Sequence, residues 1–451
     1  MSPKKVGGIL FALFLAFIPL LLSSQVQPVQ KIRTPAELKQ FYQSREAMAP
    51  TAVKQQLTTL RARIDREKLT FTVGYTGASS RSLQILAAEK TITPAEANAI
   101  KAKMATMRTV FSKFDAAEAV TAALPSKFDA RTKGWISAVR DQENCGSCWA
   151  FAAIAMYETN YRVRNSDIAE FINASEQHAL DCVTGNCNGG LAYQVFDWMT
   201  AGNKNLKTEA SYKYTPPKEN PCPGTATTTN YFAEFWRVLR PDGEIEKIAD
   251  KTTIKQAILT YGAVNASLWA DNSWPHYTGV DAAGNPAVLN GMASNPTNPT
   301  SNHAILIVGW DDSKQAFLVK NSWGTDWGMD GYCWVKYDHY NIGKRAAVVV
   351  AKRPVTCVHK VKVENAGSYL AEFSVKYTLK GIDYNLASGK ISTGQSKDLK
   401  VPCDANSVSL TIKAVSGKTI LSKTYAKSEA LCFKLKGTTG NPTYEICPKP
   451  L

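Results

Sequence analysis

The chain has 451 residues, 44% of them hydrophobic and 20% charged, with a formal net charge of +15. That composition excludes intrinsic disorder, and the length exceeds what one ordinary core holds, so about two to four domains are expected. The positive balance favours acidic neighbours, but no block or repeat of Lys and Arg stands out, so nucleic acid is not an expected partner.

The chain opens MSPKKVGGILFALFLAFIPLLLSSQVQP, with Lys4 and Lys5 ahead of an apolar stretch from Val6 to Leu22 and the small residues Ser23 and Ser24. This is the layout of a secretory signal peptide, 1–24. A retained membrane anchor is the rival, opposed by Pro19 and the short span. An exported chain permits disulfides, and all ten cysteines lie at or beyond Cys145. Residues 25–121 are polar and free of cysteine. TPAELKQFYQSREAMAP (34–50) and TPAEANAIKAKMATMRTVFSKF (93–114) both begin with a Thr N-cap and a first-turn Pro, so both predict helices. Between them LTFTVGYTG (69–77) reads as a strand. The region is a small domain or a removable prosegment.

From LPSKFDAR (124–131) onward Trp, Tyr, Gly and Cys become dense. A helix is expected after Cys145, then a Gly/Asn-rich loop at 183–190, then the strands HAILIVGW (303–310) and AFLVKNSW (316–323). Helices followed by strands predict an α+β protein with two lobes. Beyond Pro354, VKVENAG, YLAEFSVKYTL, SVSLTIKAV and TILSKTY alternate apolar and polar residues between short turns, the pattern of a small antiparallel β-sandwich.

CGSCWAF (145–151) carries the chemistry. A C-x-x-C can be a redox pair, half a metal site, or a nucleophile beside a structural cysteine. The redox reading needs a βαβ setting that is not evident here. Zinc needs a second ligand pair, and Cys182/Cys187 in an exported chain more readily form disulfides. A nucleophilic thiolate needs a helix N-terminus or a cation, together with a proton donor. Of the five histidines, His178 lies in a helix-like run, and His276, His339 and His359 sit in polar surroundings. His303 opens an apolar strand that can fix its ring, and Asn321, after the next strand, can orient it.

Four stretches carry a family resemblance: DQENCGSCWAF (141–151), SEQHALDC…GNCNGG (175–190), SNHAILIVGW (301–310) and KNSWGTDWG (320–328). The chain resembles papain-family cysteine peptidases over roughly 122–352. The resemblance implies a two-lobed fold with a helical lobe facing a β-barrel-like lobe. It also implies that Cys148 is the nucleophile at a helix N-terminus, paired with His303 as thiolate and imidazolium. Asn321 would hold the imidazole, Trp323 would shield that bond, and Gln142 would donate to the oxyanion together with the Cys148 N–H. Gly189 and Gly190 would pair with an extended peptide. Cys145 would bond Cys187, and Cys182 would bond Cys222. By count, Cys357, Cys403, Cys432 and Cys447 are enough for two further bridges in any of three connectivities, which leaves Cys148 and a buried Cys333 free. No cofactor and no metal are implied.

The sequence departs from the family at several points. The loop 270–302 is enlarged and is expected to rim the cleft on the leaving-group side. Asn302 stands where many relatives have Asp. NIGKRAAVVV (341–350) lacks a cysteine common there, so the floor of the main specificity pocket is open to question. Leu191, Ala192, Ala266 and Ser301 are candidates for its wall and favour an apolar substrate side chain. Asn173-Ala-Ser and Asn265-Ala-Ser match glycosylation acceptors. The expected organisation is a signal peptide 1–24, an inhibitory prosegment 25–121, a peptidase domain 122–353 and a β-sandwich module 354–451. The expected function is a secreted cysteine endopeptidase made as a zymogen, acting on proteins or peptides and inhibited by its own prosegment. A Lys-rich C-terminal module suits a glycan or an anionic surface. The alternative is an adhesin or toxin-like binding protein whose peptidase core processes itself.

Overall fold

The computed structural model describes residues 32–447 except 119–122, 166–171, 203, 218–220, 227–228, 230, 353–357, 380–381 and 404. The expected signal peptide, Cys357, the link near Pro354 and residues 119–122 at the expected end of the prosegment lie outside the described residues. No helix among the described residues is long and apolar enough to cross a membrane.

The N-terminal region holds α1 (Pro35–Glu46), α2 (Thr51–Glu67), α3 (Leu83–Leu86), α4 (Pro94–Thr106) and α5 (Arg108–Glu118). Thr34 and Thr93 each close a capping box with a Glu three residues on, which satisfies donors that the first helical turn leaves unpaired. The strand expected over 69–77 is instead extended backbone with a single bridge, Val73 to Tyr277. Its partner, 276–280, is an irregular loop, so only isolated bonds form, among them Thr72 N to Val280 O at 3.0 Å and Gly74 N to His276 O at 2.8 Å.

The middle region follows with β1 (Lys127–Asp129), α6 (Cys148–Arg164), α7 (Glu176–Cys182), α8 (Ala192–Thr200), β2 (Ala233–Val238), α9 (Lys251–Tyr261), β3 (Val264–Leu268), β4 (Val288–Leu289), β5 (His303–Asp311), β6 (Ala316–Lys320), β7 (Tyr332–Lys336) and β8 (Lys344–Ala351). Helix α6, CWAFAAIAMYETNYRVR, is buried on almost every side, as a helix apolar all round must be. The strands form one sheet in the order β2-β8-β3-β5-β6-β7-β4, with β1 added to β5. The barrel-like lobe is therefore an open sheet, because its ends, β2 and β4, do not pair among the described residues. Residues of the N-terminal region, among them Leu38, Val53, Leu57 and Phe71, belong to the same hydrophobic core as the middle region.

The last region comprises β9 (Val358–Asn365), β10 (Ala371–Leu379), β11 (Ile382–Ala387), β12 (Ser396–Pro402), β13 (Asn406–Ala414), β14 (Thr419–Lys427), β15 (Leu431–Thr438) and β16 (Asn441–Ile446). Two four-stranded sheets, β11-β10-β13-β14 and β12-β9-β15-β16, enclose a separate core containing Val363, Phe373, Leu410 and Phe433. One pair, β9 with β15, is parallel; the others are antiparallel.

Helix α5 ties the three regions together. Phe114 lies edge-on to Phe235, centroids 5.2 Å apart, and stacks on Tyr261 at 5.8 Å. Asp115 pairs with Arg237 at 2.7 Å, and Lys113 reaches Asp383 of the last region at 2.7 Å. Phe114→Ala is expected to cost about 3–5 kcal/mol in urea unfolding of the full-length chain. A loss below about 1 kcal/mol would show that α5 is not held by this aromatic contact.

Candidate active site

Cys148 is the first residue of α6, where the helix dipole favours negative charge. Its sulfur is fully buried. Burial pushes the thiol up to about 12, while the backbone N–H groups of Ala304, Ala88 and Trp149 oppose that shift by favouring the anion. His303, the first residue of β5, is also fully buried, and burial pushes its imidazole down to about 4 against the opposing hydrogen bond from Asn321. In the full-length chain burial thus works against the charged form of both groups.

Asn321 fixes the ring. Its Oδ1 lies 2.8 Å from His303 Nε2 and also accepts the Ser322 N–H at 2.9 Å. An oxygen already accepting one proton makes Nε2 the donor, so Nδ1 carries the free lone pair. Nδ1 is buried and makes no hydrogen bond among the described residues, to the Cys148 sulfur or to any other group. The ring of Trp323 lies 4.8 Å from that of His303. Trp274, from the loop 270–302, lies 6.5 Å from His303 on another side and stacks on Trp327. The first part of that loop is packed, with Trp274 and Tyr277 buried, while much of 281–300 is exposed.

The N-terminal region fills the space before the sulfur. Gln142 Nε2 donates to Cys145 O at 2.8 Å and reaches Leu86 O at 3.3 Å and Ile85 O at 3.4 Å. Its Oε1 accepts from Ser322 Oγ at 2.8 Å, which sets the amide's orientation. Trp323 Nε1 also donates to Leu86 O, at 3.2 Å. The next peptide turns the N–H of Ala88 toward the sulfur. A thiolate meeting an N–H finds no carbonyl carbon to attack. Lys90 N then donates to Gly190 O at 3.1 Å, in a parallel bridge between Glu89 and Gly190. A Cβ on Gly189 would come within 2.1 Å of Ala88 O, and one on Gly190 within 2.4 Å of the Trp149 ring, so both positions require glycine.

Among the wall candidates, Leu191, Ala192 and Ala266 are buried. Ser301 Oγ is buried without a hydrogen bond among the described residues. Ser267, not its neighbour Ala266, reaches the peptide in the cleft, donating to Glu89 Oε1 at 2.6 Å; alternation along β3 sends Ala266 to the other face. Arg345, in the segment 341–350, is buried and 3.1 Å from Glu89 Oε2. The sequence reading missed Arg345, Ser267 and Glu89. The missing cysteine in 341–350 marked the right segment but not the charge within it. Asn302 bonds the backbone of Ala270 on both sides of its amide, and its carbonyl accepts from Glu89 N at 2.8 Å.

The other histidines are bonded elsewhere. His178 contacts Gly224 O at 2.8 Å and accepts from Lys207 N at 3.0 Å. His276 Nδ1 lies 3.0 Å from Ser79 Oγ. Disulfides join Cys145 to Cys187, Cys182 to Cys222 and Cys432 to Cys447. Cys403 is also disulfide-bonded, and Cys148 and Cys333 are free.

Residues 124–352 match the family described as papain family cysteine protease, and the chain belongs to that family. Mouse cathepsin J is 32% identical over 240 residues, which cover 49% of this chain and 63% of the relative. Mouse procathepsin L is 32% identical over 231 residues, covering 48% and 62%. The match thus spans less than two thirds of these relatives' own length. The structure of digestive procathepsin L 3 from Tenebrio molitor larval midgut superposes with a TM-score of 0.51 at 17% identity, covering 70% of this chain and 98% of that one. That likeness is one of fold.

Because burial raises the thiol and shuts out reagent, Cys148 of the full-length chain is expected to resist iodoacetamide at pH 7, with labelling rising toward alkali. Peptide mapping separates it from Cys333, whose thiol burial also raises. Labelling of Cys148 at the rate of a free thiol at pH 7 would contradict the closed geometry.

Proposed function

We propose that the chain is a secreted cysteine endopeptidase made as a zymogen, with 1–24 as signal peptide, 25–121 as prosegment, 122–353 as peptidase domain and 354–451 as accessory module. Lifting the segment 69–92 admits water to the cleft. The helix terminus, the aligned N–H groups and a protonated His303 then favour the Cys148 thiolate. The sulfur attacks the carbonyl carbon of a peptide bond. The oxyanion is met by Gln142 Nε2 and the Cys148 N–H. His303 gives its proton to the leaving amine, and a thioester remains. Water, losing a proton to His303, attacks the thioester, and that proton returns to the sulfur as the acid product leaves. Asn321 and Trp323 keep the imidazole in place throughout.

The observation that supports this reading is the Leu86 carbonyl of the N-terminal region, which accepts from both Gln142 Nε2 and Trp323 Nε1. The donor assigned to the oxyanion thus meets a peptide carbonyl. The loop 270–302, packed at the end of the cleft marked by His276, is read as limiting the substrate there. The Lys-rich C-terminal sandwich is read as a contact for a glycan or an anionic surface.

In the processed form Cys148→Ala should abolish peptide cleavage, and Gln142→Ala should lower kcat by roughly 10²–10³. Full activity in either variant would refute the assignment.

Acid should open the zymogen. Burial under the prosegment pushes both His303 and His276 from about 6.5 down to about 4. Both rings regain their ordinary affinity for protons once uncovered. The closed state therefore has its full advantage above about pH 6.5 and loses it as pH falls toward 4. The release rate, followed by epoxide labelling of Cys148, should rise across that window; a rate independent of pH from 7 to 4 would contradict the linkage.

A further inference from the structure

The extended segment 87–92 crosses the cleft and places one side chain deep inside it. Glu89 lies next to Ala88, whose N–H faces the sulfur, and its own backbone bridges Gly190. Its carboxylate is 2% exposed. Oε1 accepts from Ser267 Oγ at 2.6 Å, and Oε2 lies 3.1 Å from Arg345 Nη1. Arg345, 4% exposed, sits just inside β8 with φ of 53°, a left-handed conformation uncommon for a bulky residue. Its Nη1 also donates to Lys90 O at 2.7 Å, and its Nε donates to Glu246 Oε1 at 2.6 Å. Lys344 Nζ pairs with Glu246 Oε2 at 2.9 Å.

The cluster thus holds two cations, Lys344 and Arg345, and two carboxylates, Glu246 and Glu89. Only Glu89 belongs to the N-terminal region. When that region leaves, Glu246 stays on Arg345 Nε, but Nη1 loses both the Lys90 carbonyl it donates to and its ion-pair partner Glu89, and the cluster keeps one uncompensated positive charge. An unpaired charge in a pocket of this depth is strongly unfavourable. An apolar substrate side chain would seal that charge in without a partner, and a basic one would add repulsion. A carboxylate would restore both the ion pair and the Ser267 hydrogen bond.

We propose that Arg345 and Ser267 make this pocket selective for a substrate carboxylate, Glu before Asp, at the second residue on the acyl side of the cleaved bond, and that Glu89 inhibits the zymogen by occupying it as a substrate would. This rests on the peptidase reading and replaces the apolar preference expected from the sequence. Glu is favoured over Asp because the side chain seated there now is a Glu.

The test uses the processed form obtained from the full chain, with fluorogenic peptides that differ only at that residue. Glu should exceed Gln, Leu and Arg in kcat/KM by at least about tenfold, with Arg the poorest. Arg345→Ser should erase the advantage of Glu over Leu while Cys148 still takes up an epoxide inhibitor. Equal or better cleavage of the Leu or Arg peptide by the wild-type enzyme overturns the proposal and leaves the peptidase reading intact. If no peptide is cleaved and the epoxide does not label Cys148, the peptidase reading fails instead. Fluorescence anisotropy then decides the pocket on its own: the Glu peptide must still bind at least about tenfold more tightly than the Leu peptide, and failure to do so overturns the proposal.

Discussion

The state of one sulfur depends on a contest between water exclusion and fixed dipoles. Cys148 stands at the head of a 17-residue helix, with three backbone N–H groups acting on it, all of which favour a thiolate. In the closed chain burial opposes that arrangement, because the sulfur has no access to solvent and the His303 imidazole is equally buried. Neither group can ionise alone without leaving an unpaired charge in a dry site. The N-terminal region therefore blocks the cleft by more than bulk. It removes the water on which charge separation depends, and it offers the sulfur an N–H in place of a carbonyl carbon.

Much of this site is legible in the sequence because its parts lie at element boundaries. CGSCWAF announces a helix beginning at its second cysteine, and α6 begins at Cys148. HAILIVGW announces a strand, and β5 begins at His303. Asn321 follows the end of β6, which pairs antiparallel with β5 through Leu306 and Lys320, so the start of one strand and the end of the other are brought to the same end of the sheet. Helices α1 and α4 of the N-terminal region are legible from their repeated Thr-Pro-Ala-Glu start, whereas α2 and α3 lack that signal and were not expected. The strand expected over 69–77 failed because alternation reports an extended conformation but not whether a regular partner exists. The acid in the cleft failed for a different reason. Nothing periodic relates Glu89 to Arg345, and in sequence Arg345 reads as one more solvated cation. Only a left-handed backbone at the edge of β8 turns it inward.

The polarity of the interface between the N-terminal region and the peptidase domain gives that pair its meaning. Around most of the rim the N-terminal region supplies the cations, with Asp115 against Arg237 the exception. Arg33 meets Asp330 at 2.7 Å, Arg45 meets Asp326 at 3.0 Å, Arg63 meets Asp271 at 3.1 Å, Arg81 meets Asp141 at 2.6 Å, and Lys101 meets Glu244 at 2.5 Å. Each has at least one partner partly open to solvent, so each contributes little and is screened by salt. Burial of the shared apolar core is the larger contribution to holding the region on the domain. Inside the cleft the polarity reverses, with the N-terminal region giving the acid and the domain the cation. A buried pair of this kind adds little net stability over a well-packed apolar contact, and it penalises a wrong partner heavily. The charge within the cleft thus acts on selection more than on adhesion, and the same guanidinium that accepts Glu89 remains to choose among the peptides that follow it.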